Sequence, residues 1–207
     1  MKEEIKPATT KKDGKIVVKC KECGKVESTK VIYKISTVKL SSKEYTYNGK
    51  IKSPKLIVKN SKGKTISSKY YTVKKPTGRK DVGKYTYTIK FKGLYEGTKK
   101  LTLTVKPKAT SVKKVTASKK AFTVKWNKVS KRATGYEIMY ATNAKFSKGK
   151  KTVKVTKLNT TSKKISKLKA KQKYYVKVRT YKTVKVDGKK INIYSDWSKA
   201  KTVTTKR

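Results

Sequence analysis

From Ala121 to Trp126 the chain reads AFTVKW: Phe122, Val124 and Trp126 alternate with Thr123 and Lys125. A period of two is the pattern of a strand with one buried face. Tyr136-Glu137-Ile138-Met139-Tyr140 follows with the same alternation. A strand that carries an indole on its apolar face needs a second sheet to cover it, so the C-terminal half is predicted to be a β-sandwich. The beat is clearest at Tyr85, Tyr87, Ile89 and Phe91, set against Lys84, Thr86, Thr88 and Lys90.

That pattern overrules the composition. Lys and Arg total 60 against 11 Asp and Glu, a formal charge of +49, and apolar content is 34%. Low hydrophobicity with high net charge is the mark of disorder. Here the apolar residues fall in alternating runs bounded by Gly, Asn, Asp and Pro, and the 14 Tyr add buriable area on a β-favouring side chain. The cations are almost all Lys, with Arg only at 79, 132, 179 and 207. Lys is a hydrated point charge and lacks the planar fork that reads phosphate or guanine bidentately, so the charge suits diffuse attraction to polyanions. Lys also keeps strand edges from pairing and covers apolar surface with its stem; paving and binding both remain open.

The same composition argues against catalysis. There is no His, which removes the commonest general base and the commonest metal ligand. The acids mostly stand alone, without the paired spacing that glycoside hydrolysis needs. No phosphate-cradling glycine loop, G-x-S-x-G or H-E-x-x-H occurs. The expectation is a non-enzyme with no catalytic residues, no cofactor and an unknown binding site.

In chain order, residues 1–30 form a short hairpin segment with a knuckle, Cys20-Lys21-Glu22-Cys23-Gly24-Lys25. C-x-x-C-G-K is a zinc-ribbon turn, and Cys20 and Cys23 are the candidate metal ligands, but two further ligands are missing. A local disulfide or two unpaired thiols is the favoured reading. Residues 31–106 are expected to form a compact sandwich. Within it, Asn48-Gly49 signals a hairpin turn after Tyr45-Thr46-Tyr47, and Leu101, Leu103 and Val105 form the last strand. Pro107 marks the junction, since it has no N–H to continue a ladder. Residues 107–207 form the second sandwich. The fold class is therefore all-β: two immunoglobulin-like β-sandwiches in tandem after the N-terminal hairpin and knuckle.

Three resemblances sharpen this. Pro7-Ala8-Thr9-Thr10 with the knuckle is similar to small repeats of exported Gram-positive proteins, with Thr10 where those carry a third Cys. Tyr45-Thr46-Tyr47-Asn48-Gly49-Lys50, Asp81-Val82-Gly83 and Gly93-Leu94-Tyr95-Glu96-Gly97-Thr98 resemble bacterial immunoglobulin-like repeats of Firmicute surface proteins. Residues 107–207 resemble a fibronectin type III domain: Trp126 at the core Trp, Tyr136 and Ile138 on the third strand, and Leu168 to Val178 on the family's L-x-P-x-T-x-Y-x-V-x-V. Ala170 and Gln172 replace its Pro and Thr, and Tyr174 falls on the tyrosine corner. Trp126, Tyr136, Leu168 and Tyr174 are the expected core markers. Strands near 173–183 and 190–205 are expected to pair through Asp187-Gly188, and Trp197 to stack between cationic stems. Some Gram-positive adhesin domains form a Lys–Asn bond beside a core acid, and Glu137 is the acid in position for one.

The resemblances imply a non-catalytic spacer or adhesin of a secreted or cell-surface protein. Its expected partners are anionic polymers (teichoic acid, sulphated or sialylated glycans) or another surface protein. Alternatives are an accessory region of a larger secreted hydrolase, or nonspecific nucleic-acid binding driven by charge. No apolar run is long enough to span a membrane, and no signal peptide follows Met1, so the chain is expected to be either cytosolic or a piece of a longer exported protein; it is read as the latter, a fragment that lacks its leader.

Overall fold

The computed structural model describes residues 1–207. It is all-β, with a single 3-10 turn at Ser68–Tyr70 and no α-helix. The chain forms two compact units. The first comprises Met1–Tyr45, Lys52–Arg79 and Lys84–Thr104; the second comprises Thr46–Ile51, Lys80–Gly83 and Val105–Arg207.

Strands β1 (Lys2–Lys6), β2 (Gly14–Lys19) and β3 (Val26–Ile32) make an antiparallel sheet in the order β1-β2-β3, one strand more than the expected hairpin. This sheet is tied into the first unit. The Ala8 N–H donates to the Leu94 carbonyl at 3.0 Å, the Glu96 N–H donates to the Ala8 carbonyl at 3.0 Å, and Ala8 is fully buried. The turn into β2 requires Gly14, because a Cβ there would lie 2.3 Å from the Lys6 carbonyl oxygen.

The rest of the first unit is built on β4 (Ile35–Leu40), β5 (Glu44–Thr46), β6 (Leu56–Asn60), β7 (Tyr71–Lys74), β8 (Gly83–Phe91) and β9 (Thr98–Lys106). β4 pairs with β6, and the other sheet runs β5-β9-β8-β7. Tyr87, Ile89 and Phe91 are buried while Lys84, Thr86 and Lys90 are exposed, as the alternation along β8 requires. Asn48-Gly49 does not make the expected two-residue hairpin. β5 and β6 belong to different sheets, and the Asn48 carboxamide oxygen instead accepts the Lys50 N–H at 3.0 Å in an Asx-type turn. β5 pairs with β9, and the Tyr47 N–H donates to the Lys106 carbonyl at 2.8 Å.

The second unit contains a two-sheet sandwich. One sheet is β10 (Val112–Ser118), β11 (Ala121–Trp126) and β14 (Ser162–Ile165) in the order β10-β11-β14. The other is β13 (Lys151–Val155), β12 (Gly135–Ala141), β15 (Lys173–Val186) and β16 (Lys189–Tyr194), with β17 (Lys201–Thr204) also on β15. Phe122, Val124, Ile138, Val176 and Val178 are fully buried between the sheets. Each such aliphatic or Phe side chain contributes about 1.5–3 kcal/mol by leaving water.

The final strand departs from expectation. β15 runs to Val186 and turns through Asp187 (φ 48°) and Gly188 (φ 78°), the two positive values of a type I′ hairpin. Its partner is broken: β16 covers Tyr181–Val186 and β17 covers Lys173–Val176. Between them the bonding is shared: the Ser195 and Ser198 N–H groups donate to the Thr180 and Val178 carbonyls at 3.0 and 2.9 Å, and their hydroxyls take the return bonds. The Ser195 hydroxyl accepts the Thr180 N–H, and the Ser198 hydroxyl accepts the Val178 N–H, both at 3.0 Å.

Candidate functional site: a lysine sheet and a cation–aromatic ladder

The expected core markers lie as follows. Trp126, 2% exposed, packs its indole 5.3 Å from the ring of Tyr136, which is fully buried. The Tyr136 hydroxyl accepts the buried Val129 N–H at 2.9 Å. Leu168 is buried and donates its N–H to the Lys120 carbonyl at 2.9 Å. The Tyr174 hydroxyl accepts the Lys169 N–H at 3.4 Å, five residues upstream, which pins the turn into β15.

Cys20 and Cys23 sit on a tight turn after β2. The Cys20 N–H donates to the Lys25 carbonyl at 2.9 Å and the Gly24 N–H to the Cys20 carbonyl at 3.2 Å. Neither thiol is joined in a disulfide in this structure. The backbone N–H groups of Cys23 and then Glu22, followed by the Cys23 side chain, lower the Cys20 thiol below its ordinary pKa by favouring the thiolate. The molecule has no cluster of three or more His, Cys, Asp or Glu that could hold a metal ion. Two sulfurs alone leave a tetrahedral zinc half-coordinated.

Chemistry is richer on the two outer faces of the sandwich. β10, β11 and β14 contain Lys113, Lys114, Lys125, Lys163 and Lys164 and not one acid. Lys114 stands directly opposite Lys125, and Lys164 opposite Thr123, with all three lysines exposed. Like charges directly across a ladder repel and destabilise it. Lys114 and Lys125 thus face each other with no acid on these three strands to neutralise them.

The opposite face is organised around Arg179. Its guanidinium lies 3.7 Å from the ring centre of Tyr194 and 4.1 Å from that of Trp197. Lys177 extends the stack, with Nζ 5.2 Å from Trp197 and 3.9 Å from Phe146. Burial, and then the charges of Arg179 and Lys150, lower the Lys177 pKa below the ordinary lysine value. Trp197 is therefore a stacked element of a ladder and is half-buried. Glu137, across the ladder from Arg179, is 6% exposed and accepts from Arg179 Nε at 2.8 Å. The Arg179 guanidinium is the carboxylate's partner here.

The sequence reading placed Trp197 among cations but missed Arg179 and Phe146. The available signal was a lone Arg two residues from Lys177 on a strand whose alternate positions, Val176, Val178 and Thr180, are apolar or buried. Phe146 carried no such signal, because it lies in the loop between β12 and β13 at a φ of 54°.

No curated protein matches the chain. Among solved structures, the crystal structure of chicken CNTN1 FN1-FN3 domains is 16% identical, with a TM-score of 0.40; the match covers 94% of this chain and 78% of that one. Residues 105–193 match the family model of the fibronectin type III domain.

Proposed function

We infer that the chain is a non-catalytic spacer or adhesin module of a secreted or cell-surface protein of Gram-positive type, held on anionic polymers by its lysines. The observation that carries this reading is the acid-free β10-β11-β14 sheet, where Lys114 faces Lys125 across the ladder. Such an arrangement costs stability in isolation and is relieved when a polyanion lies over it. Fibronectin type III domains are commonly extracellular and typically non-catalytic, and no helix is long and apolar enough to cross a membrane. The resemblance of residues 31–106 to bacterial immunoglobulin-like repeats supports the Gram-positive context. Lysine without arginine forks favours polymers with diffuse charge, such as teichoic acid or sulphated glycan.

The test is retention on teichoic acid and heparin beads at low and high salt. Binding is expected at low salt and lost at high salt, because exposed charges are screened within about a Debye length of 10 Å at 0.1 M. Retention unchanged by salt contradicts a charge-driven mode. Gel shifts on unrelated DNA sequences provide the comparison, and a sequence preference there favours nucleic acid instead.

A further inference from the structure

The first unit holds a groove of about 470 Å³ that the polyanion reading does not use. It is lined by Lys30, Val31 and Ile32 at the end of β3 and by Tyr33 just after it. A sheet face presents only alternate residues, so a groove that touches Lys30, Val31 and Ile32 in succession reaches the strand's edge. β3 pairs with β2 on one side alone, and its other edge has no partner strand. Val31 on that strand is 49% exposed, and Tyr33 just after it 38%.

The floor and rim define the chemistry. The floor is aliphatic, from Ile16, Ile32, Ile66 and Leu94. The rim carries Lys30, Lys64 and Lys69, and no acid lines the groove. The tyrosine rings already have partners: Lys62 Nζ lies 5.4 Å over Tyr33, Lys69 Nζ lies 5.0 Å over Tyr70, and Tyr95 meets Tyr70 edge-on at 5.6 Å. A saccharide needs an open aromatic platform, whereas the surface left here suits aliphatic side chains. An unpaired edge supplies backbone hydrogen bonds to an added strand, and a neighbouring pocket takes its alternate side chains.

We propose that this groove and the free edge of β3 dock an extended peptide of a partner protein, in which aliphatic and acidic residues alternate. The peptide adds a strand to β3. Its aliphatic side chains enter the groove over Ile66 and Leu94, and its carboxylates face Lys30, Lys64 and Lys69. This goes beyond retention on polyanions, which needs neither an edge nor an apolar floor.

The test titrates the full chain with an end-blocked peptide alternating Glu and Val, an all-Glu peptide of equal charge, and a heparin-derived oligosaccharide, followed by amide NMR shifts. The Glu–Val peptide is expected to bind more tightly than the all-Glu peptide, with shifts confined to residues 30–33 and 64–67. The double variant Lys30→Glu/Lys69→Glu is expected to weaken it by about tenfold, and Lys114→Glu/Lys125→Glu by less than about twofold, since like charge at the contact costs most. Both variants change only exposed side chains and are checked for folding by thermal melts. Equal binding of the two peptides, equal losses in the two variants, or groove shifts from the oligosaccharide alone each overturn the proposal. Bead retention is read separately on the Lys114→Glu/Lys125→Glu protein, so failure of one idea does not pass for failure of the other.

Discussion

The Arg179 guanidinium pairs directly across the ladder with the Glu137 carboxylate, donating from Nε at 2.8 Å while Tyr194 and Trp197 flank it. A buried ion pair adds little net stability, but removal of one partner strands the other charge away from water. Arg179→Met is therefore expected to cost about 3–5 kcal/mol in urea unfolding, because Glu137 would be left unpaired at 6% exposure. Lys177→Met leaves no buried acid behind and is expected to cost much less. Equal costs for the two variants would show that the ladder, and not the ion pair, is the stabilising unit.

The two tyrosine hydroxyls separate by geometry. Tyr136→Phe orphans the buried Val129 N–H, now bonded at 2.9 Å, and is expected to cost about 1–3 kcal/mol. Tyr174→Phe removes a bond of 3.4 Å at a part-buried site and is expected to cost about 0.5–1 kcal/mol. Denaturant midpoints at constant slope provide the comparison. A larger loss for Tyr174→Phe would mean that the corner bond, long as it is, carries the turn.

Lys177 is expected to lose its proton before the bulk lysines, because burial and then the Arg179 charge lower its pKa from the ordinary 10.5. In the window between the lowered native pKa and 10.5 the unfolded chain binds more protons, so this group's destabilising effect is full below the window and is relieved as pH rises through it. Side-chain NMR titration reads the pKa directly, and Arg179→Gln is expected to move it back up. Titration of Lys177 together with the exposed lysines would contradict the packing against Phe146 and Trp197.

Cys20 is expected to react with iodoacetamide at a pH below the ordinary thiol range, since two backbone N–H groups favour its thiolate. Cys23→Ala removes only the third contribution and is expected to preserve most of that reactivity. With two sulfurs and no third ligand, addition of a chelator is expected to leave the melting temperature unchanged. A drop on chelation would reveal a metal recruited between chains.

The period-two beat by itself determined the core strands such as β8 and β11, the all-β class and the burial of Trp126, Tyr136 and Tyr174, because side-chain alternation is a local property of an extended backbone. It also located the Asp187-Gly188 turn, whose positive φ values only a few residue types accept. Tertiary structure alone decided which strand each ribbon joins. Asn48-Gly49 looks like a hairpin turn yet connects two sheets, and the last strand breaks at Ser195–Ser198, where hydroxyls stand in for the carbonyls that would accept the Thr180 and Val178 N–H groups. It likewise decided that Arg179, Glu137 and three rings from separate segments meet on one face, and that β3 keeps an open edge beside an aliphatic groove. Pairing and stacking join residues distant in sequence, and no local pattern records a contact whose partner lies on another strand.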